Sequence, residues 1–280
     1  MMLTVSGCSN QGDLLSSIKK KFENSEGLTQ ENEGLKRQVE LPPKALSAEV
    51  KEKDPWSLVW NDEFDSYDFR SRWNLQDWAS DKNEELQYYS PDNLKIRNGH
   101  LVIQSKKERF KERSYTSGAI TTEDLFEFTY GKVEIRAKIP EGTGIFPALW
   151  LVNSTNEKWL PEIDIMENIG QVPNEIYFVV HWADSNGEKR RDYSTYTSNT
   201  NFSDDFHTYG LIWEKENISW TLDGEVVFET TMHSPDTPLF LYINTAIGGT
   251  WPGPPDPDDS STKEFLIDYV RVYQANSKER

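Results

Sequence analysis

From residue 54 onward the chain is a succession of short runs in which apolar and polar residues alternate, separated by turn-forming residues. Alternation at period two marks half-buried strands. Such runs fall at 118–122, 131–138, 147–151, 162–167, 175–182, 207–213, 217–222, 239–245 and 264–273. Two pairs of runs are joined by hairpin signals, Asn98-Gly99 ahead of His100-Leu-Val-Ile-Gln104 and Asp223-Gly224 ahead of Glu225-Val-Val-Phe228. Asn-Gly and Asp-Gly favour type I′ turns because both central residues take positive φ. No long helical period and no internal repeat follows residue 53. Many short strands with regular turn signals predict an all-β sandwich of antiparallel sheets.

The pattern is most informative at Pro161-Glu162-Ile163-Asp164-Ile165-Met166-Glu167-Asn168. Strand side chains repeat every two residues, so Glu162 and Asp164 share a face and Glu167, three residues on, points the other way. A β-bulge between Asp164 and Glu167 would absorb one residue and return Glu167 to the face of the other two. Three like charges on a half-buried face cannot all ionise cheaply, so at least one carboxyl is expected to hold its proton. A proton donor beside a carboxylate is what cleavage of a glycosidic bond requires. Taken alone, the hexamer also fits an exposed acidic strand or a calcium site.

The neighbouring motifs narrow this. The stretch Tyr130-Gly-Lys-Val-Glu-Ile-Arg136-Ala-Lys-Ile-Pro140, then Gly144-Ile-Phe-Pro-Ala-Leu-Trp150, then Trp159 to Glu167 resembles glycoside hydrolase family sixteen, and its laminarinase-like members in particular. The resemblance covers about residues 54–275 and implies a β-jelly roll of two curved antiparallel sheets with a substrate cleft on the concave face. It implies Glu162 as nucleophile, Glu167 as acid/base and Asp164 between them, acting with retention of configuration. It places Trp150 and Trp159 beside the acidic strand as sugar platforms. Trp251 follows Asn244-Thr-Ala-Ile-Gly-Gly249-Thr250, which is similar to the family's Asn-x-Ala-x-Gly-Gly-x-Trp segment, so Asn244 and Trp251 join the substrate residues. Asn83, Arg136 and His181 fall where the family carries polar residues that contact or support the sugar. No cofactor is implied for catalysis. A structural calcium is, held by Glu63, the carbonyl of Gly99 and Asp268. The chain departs from laminarinases in having Phe146 where they have Trp, Ala119 where they have Arg, and a shorter segment between Trp159 and Glu162. The chemistry is therefore read more firmly than the linkage.

Composition adds limits. Aromatic residues make up 12% of the 280 residues, which suits both a sandwich core and a sugar-stacking cleft. A net charge of −17 disfavours nucleic acid and strongly anionic polysaccharides. The basic run Lys189-Arg190-Arg191 reads as a solvated loop. One cysteine, Cys8, excludes an intrachain disulfide. Val5-Ser6-Gly7-Cys8 resembles the end of a bacterial lipoprotein signal, which implies membrane attachment through lipidated Cys8 and a secreted or cell-surface location. The polar composition of residues 9–53 cannot bury a core. The expected organisation is a signal remnant and tether at 1–53, a catalytic domain at 54–275 and a short tail at 276–280. The expected activity is endo-hydrolysis of β-1,3- or mixed β-1,3/1,4-glucan by a monomer. The rivals are a galactanase of the agarase, porphyranase or carrageenase kind, which on sulphated chains needs cations in its cleft, a non-catalytic β-glucan-binding module, and a transglycosylase using the same covalent intermediate.

Overall fold

A computed structural model describes residues 55–153 and 159–276. The tether at 1–53, with Cys8, lies outside the described residues. In chain order the strands are β1 (Trp56–Asp62), β2 (Asn74–Leu75), β3 (Trp78–Ala79), β4 (Gln87–Tyr89), β5 (Leu94–Arg97), β6 (His100–Ser105), β7 (Tyr115–Ser117), β8 (Ala119–Thr121), β9 (Glu127–Phe128) and β10 (Gly131–Lys138). They continue as β11 (Ile145–Val152), β12 (Glu162–Glu167), β13 (Glu175–Ala183), β14 (Lys189–Thr197), β15 (His207–Trp213), β16 (Ile218–Leu222), β17 (Glu225–Thr230), β18 (Leu239–Ile247) and β19 (Lys263–Ala275).

Sixteen of these strands build two eight-stranded antiparallel sheets, and β3, β4 and β7 form a small third sheet. The first runs β17-β16-β15-β10-β19-β6-β5, with β1 also paired to β19. The second runs β14-β13-β12-β11-β18-β8-β2, with β9 also paired to β18. The expected sandwich is what forms. Both hairpin turns have positive φ at their two central residues, Asn98 (55°) with Gly99 (73°) and Asp223 (52°) with Gly224 (87°), as a type I′ turn requires.

The inward faces interleave. In β10, Val133, Ile135 and Ala137 enter the core while Lys132, Glu134, Arg136 and Lys138 point outward, as alternation dictates. In the second sheet Ile163, Leu149, Leu151, Phe178, Leu241 and Ile243 meet them from the other side. Each of these side chains larger than Ala137 contributes roughly 1.5–3 kcal/mol by leaving water. The second sheet is unusual in that its other face is also largely buried: Tyr177, Val179, Tyr242 and Ala246 lie there although they point away from the core. Loops fold over that face, which hereafter is called the open face. The loop at 82–86 docks through Leu86 N to Ile247 O (2.8 Å) and Thr250 N to Asn83 O (2.8 Å). Gly248 and Gly249 permit the approach. Both have positive φ, and a Cβ on Gly248 would lie 2.8 Å from the Leu86 side chain.

Candidate active site

Strand β12 carries the expected bulge. Asp164 pairs with Val179 and Glu167 with Tyr177, so three residues on β12 span what two span on β13. The register against β11 shifts at the same place, between Leu149 and Trp150. Ile163, Ile165 and Met166 all enter the core, and the two consecutive apolar residues 165 and 166 do so because one of them is the extra residue. Glu162, Asp164 and Glu167 thereby share the open face. The bulge is held from the opposite sheet: the buried Trp220 of β16 donates its indole Nε1–H across the core to the backbone carbonyl of Asp164 (2.8 Å).

Strand β13 brings His181 opposite Glu162. Its Nε2 lies 3.4 Å from an Asp164 carboxyl oxygen and 3.6 Å from one of Glu162. One ligand-type atom from each of the three lies within 4.8 Å of the others. At such spacing a proton on the ring interacts with both carboxylates, and a neutral ring leaves two like charges facing each other. Asp164 is the most enclosed of the pair, its side chain 4% exposed against 20% for Glu162.

The two ends of this acidic row differ in surroundings. On the Glu162 side, Trp150 stacks on Tyr242 with ring centroids 4.5 Å apart, and Trp159 lies 6.0 Å beyond Trp150. Asn244 fixes the set, accepting from Trp150 Nε1 (2.9 Å) and donating to the Tyr89 hydroxyl (2.9 Å). The ammonium of Lys82 sits 3.3 Å from the centroid of the Trp159 ring, a cation–π contact. Burial lowers the Lys82 pKa, and the negative charges of Glu162 and Glu85 oppose that. The backbone that delivers this pair is strained: Asn83, Glu84 and Trp159 all have φ between 53° and 61°. Non-glycine residues held in that region cost on the order of 1–3 kcal/mol each and concentrate at ligand sites.

On the Glu167 side, Trp251 packs edge-on against Tyr177 (4.8 Å) and against Phe146 (5.2 Å). Behind Tyr177 lies Glu175, 2% exposed. One of its carboxylate oxygens accepts a short bond from the Tyr177 hydroxyl, and the other accepts from Thr197 Oγ1 at 3.2 Å. Burial and then the Glu175 charge hold the Tyr177 phenol far above its ordinary pKa, so it stays a donor.

The predicted residues are thus brought together in large part. Glu162, Asp164, Glu167, Trp150, Trp159, His181 and Asn244 converge on one face. Asn83 contributes there through its backbone carbonyl, and Trp251 is nine-tenths buried in the wall. Arg136 is a correction. It lies on the outward face of β10 in the other sheet, donating to Asp268 (2.5 Å) with its guanidinium over Phe206, so the sandwich separates it from the acidic row. The calcium set is a second correction. Both carboxylate oxygens of Glu63 accept from Arg271 (2.9 and 2.8 Å), Asp268 is engaged by Arg136, and His100 stands 3.6 Å from its second oxygen. Calcium takes 6–8 oxygen ligands and little positive charge nearby, so donors already neutralised by two arginines do not fit it. Gly99 serves the β5–β6 turn instead.

Sequence reasoning missed Lys82, Tyr242, Tyr177 and Glu175. Period two counted back from His181 places 179, 177 and 175 on its face, so the two β13 residues were within reach of the pattern. Arg191, read as part of a solvated loop, pairs in register with His181 on β14 and stands 5.0 Å over the Tyr193 ring two residues on. Its neighbour Arg190 pairs with Asp184 instead (2.8 Å).

Comparison with known proteins agrees with this geometry. A beta-glucanase from Rhodothermus marinus is 32% identical over 262 residues, covering 82% of this chain and 89% of that protein. The chain spans 38% and 34% of the length of two further relatives. The laminarinase catalytic domain from Thermotoga maritima superposes with a TM-score of 0.72 at 34% identity, over 80% of this chain and all of that one. A structure reported with endo-acting O-glycanases of the human gut microbiota that initiate mucin breakdown gives 0.73 at 31% identity, over 84% of this chain and 94% of that one. The profile of Glycosyl hydrolases family 16 matches residues 71–271, and with the bulged acidic strand facing an aromatic-lined surface this chain belongs to that family.

Proposed function

We propose that the protein is a retaining endo-β-glucanase cleaving β-1,3- or mixed β-1,3/1,4-glucan by double displacement. The observation that carries this is the bulge between Asp164 and Glu167, which puts three carboxyl groups on one face of β12. Glu162 attacks the anomeric carbon and the glycosidic C–O bond breaks as Glu167 passes its proton to the leaving oxygen. The sugar is then an ester of Glu162. Glu167, now a carboxylate, takes a proton from water, the hydroxide oxygen bonds to the anomeric carbon, and Glu162 leaves as carboxylate. Asp164 and His181 fix the charge state and orientation of Glu162. Trp150 and Trp159 present ring faces to the pyranose. Water is the one co-reactant these steps use. A glycan-binding module on this fold would have no use for three acids converging on one point.

A second reading is favoured by one observation. Lys82 on Trp159, with Arg191 in register with His181, supplies cations on the open face, which a decorated or sulphated galactan would need and a plain glucan would not. The test is reducing-end release from laminarin, barley mixed-linkage glucan, agarose, carrageenan and keratan sulphate side by side, with Glu162→Gln as the control. Preference for laminarin or barley glucan supports the first reading, and preference for the galactans supports the second. We further place the enzyme at the cell surface as a monomer tethered through lipidated Cys8. Labelling with palmitate in the producing cell tests this, and an unlabelled, freely released protein refutes it.

A further inference from the structure

The double-displacement scheme uses Glu162, Asp164 and Glu167 and leaves one buried carboxylate of the same face without a task. Glu175 opens β13, is 2% exposed, and faces the same side as Tyr177, Val179 and His181. Burying a carboxylate is costly unless it is paired. Here the pairing is specific: both oxygens accept from hydroxyls, those of Tyr177 and Thr197. No simple packing requirement explains a glutamate there, since glutamine of the same shape would fill the space.

The position is tied to the acid/base twice. Tyr177 is the register partner of Glu167 across the bulge, so its ring stands between Glu175 and Glu167. Asn168, the residue after Glu167 and fully buried, donates its side-chain amide to the carbonyls of Val172 (3.0 Å) and Glu175 (2.8 Å). The loop that ends at Glu175 is therefore anchored to the strand end that carries Glu167. Two residues of strand, about 7 Å, separate Glu175 from the row holding Glu167. Burial raises the pKa of the intervening Tyr177 phenol most, and Glu175 and, when ionised, Glu167 add to it, as groups close to the same ring would.

The groups facing Glu167 are these. Along β12 lies Asp164, with Glu162 beyond it. Across β13 lie Tyr177, then Glu175, with His181 further along toward Glu162. On β14 stands Tyr193. On the β11 side, Ala148 and Trp150 offer no charge. Lys82 and Arg191 lie at the Glu162 end. Of these charged groups, the two that lie nearest Glu167, Asp164 and Glu175, are both acidic.

We propose that Glu175 is a positioning residue for the acid/base: acting through Tyr177, its buried carboxylate keeps Glu167 protonated until the leaving oxygen takes the proton. This rests on the reading of Glu167 as acid/base given above. A like charge nearby favours the neutral form of a carboxyl group, and the enclosure of Glu175 leaves that effect little screened. Tyr177 holds the charge in place and cannot itself become a competing anion.

The experiment is the pH profile of kcat/KM for Glu175→Gln, measured on two substrates, a natural glucan oligosaccharide and an aryl glycoside whose phenol is acidic enough to leave unprotonated. On the oligosaccharide the alkaline limb should move down by about one pH unit, a tenfold loss above the limb. On the aryl glycoside wild type and variant should differ little, because no proton is needed. A folded Glu175→Gln protein whose alkaline limb stays in place overturns the proposal. Should that variant fail to fold, Tyr177→Phe keeps the ring against Trp251 and removes the donor. A buried carboxylate that loses a donor holds its own proton, so the limb should again move down, and an unmoved limb overturns the proposal equally. Glu167→Gln on the same two substrates separates the layers. If it spares the aryl glycoside while Glu175→Gln moves nothing, only the role of Glu175 is lost. If it lowers kcat/KM, which reports the first displacement alone, equally on both substrates, Glu167 is not the acid and the two readings fall together.

Discussion

The two ends of the acidic row are built from similar aromatic material and arrive at opposite electrostatics. At the Glu162 end, Trp159, Trp150 and Tyr242 stack with a lysine ammonium on the outermost ring. At the Glu167 end, Trp251, Tyr177 and Phe146 pack edge-on, with a buried carboxylate behind the tyrosine. A cation beside a carboxyl group favours its ionised form, and an anion favours the protonated one. A nucleophile must be ionised and a general acid must not be. Two glutamates five residues apart on one strand can take those different roles because the walls around them differ, which is how pairs of like groups are assigned acid and base work in general.

The largest expected effect tests whether the ends are chemically distinct. Glu162→Ala and Glu167→Ala should each reduce turnover at least about a thousandfold. Azide should rescue both, on a substrate with a good leaving group, with opposite stereochemistry. In Glu162→Ala azide enters the vacated nucleophile position and displaces the leaving group once, giving the inverted glycosyl azide. In Glu167→Ala it attacks the covalent Glu162 ester and gives the retained product. Proton NMR of the products reads the difference, and the same anomer from both variants would erase the assignment of roles. A smaller effect tests the feature that brings the ends onto one face. Trp220→Phe removes the donor to the Asp164 carbonyl and leaves that buried carbonyl without it. Stability should fall by about 2 kcal/mol or more in chemical denaturation, from the lost donor and the smaller ring. Turnover should fall at every pH, since both glutamates lose their common register.

What was legible from the residues alone follows the same division. Period two identified 131–138, 162–167 and 207–213 with the bounds the strands have, and predicted the bulge from the odd spacing of Asp164 and Glu167. The apolar residues between the acids carried that information, because Ile163, Ile165 and Met166 all had to reach one core. Strand β14 escaped notice since Lys189-Arg-Arg-Asp-Tyr-Ser-Thr-Tyr-Thr197 has no apolar face, as befits a sheet edge. Arg136 was misplaced by family likeness where simple alternation with Val133, Ile135 and Ala137 would have put it outside. Lys82 was not legible at all. Its position depends on a strained turn docked by contacts to Ile247 and Thr250, more than 160 residues away, and local pattern carries no trace of such contacts.

The smallest expected effect is also the one that ties the two ends together. Lys82→Met keeps a stem of similar length over Trp159 and removes the charge. A cation near Glu162 stabilises its ionised form, so losing it raises the pKa of the nucleophile and moves the acid limb of kcat/KM upward. Lys82 and Glu162 share a surface open to water, so the shift should be below about one pH unit and shrink further as salt is added. Lys82→Arg, which keeps the charge, should restore the wild-type limb if charge is what matters. Glu175→Gln moves the alkaline limb down, so the two variants should narrow the same bell from opposite sides. The two residues stand at opposite ends of the row, and changes at separated positions usually add. The double variant should therefore show both shifts at once, each of the size seen alone. If removing Lys82 moves the alkaline limb as well, the ends communicate through Asp164 and His181, and the division of the row into a cationic and an anionic half no longer holds.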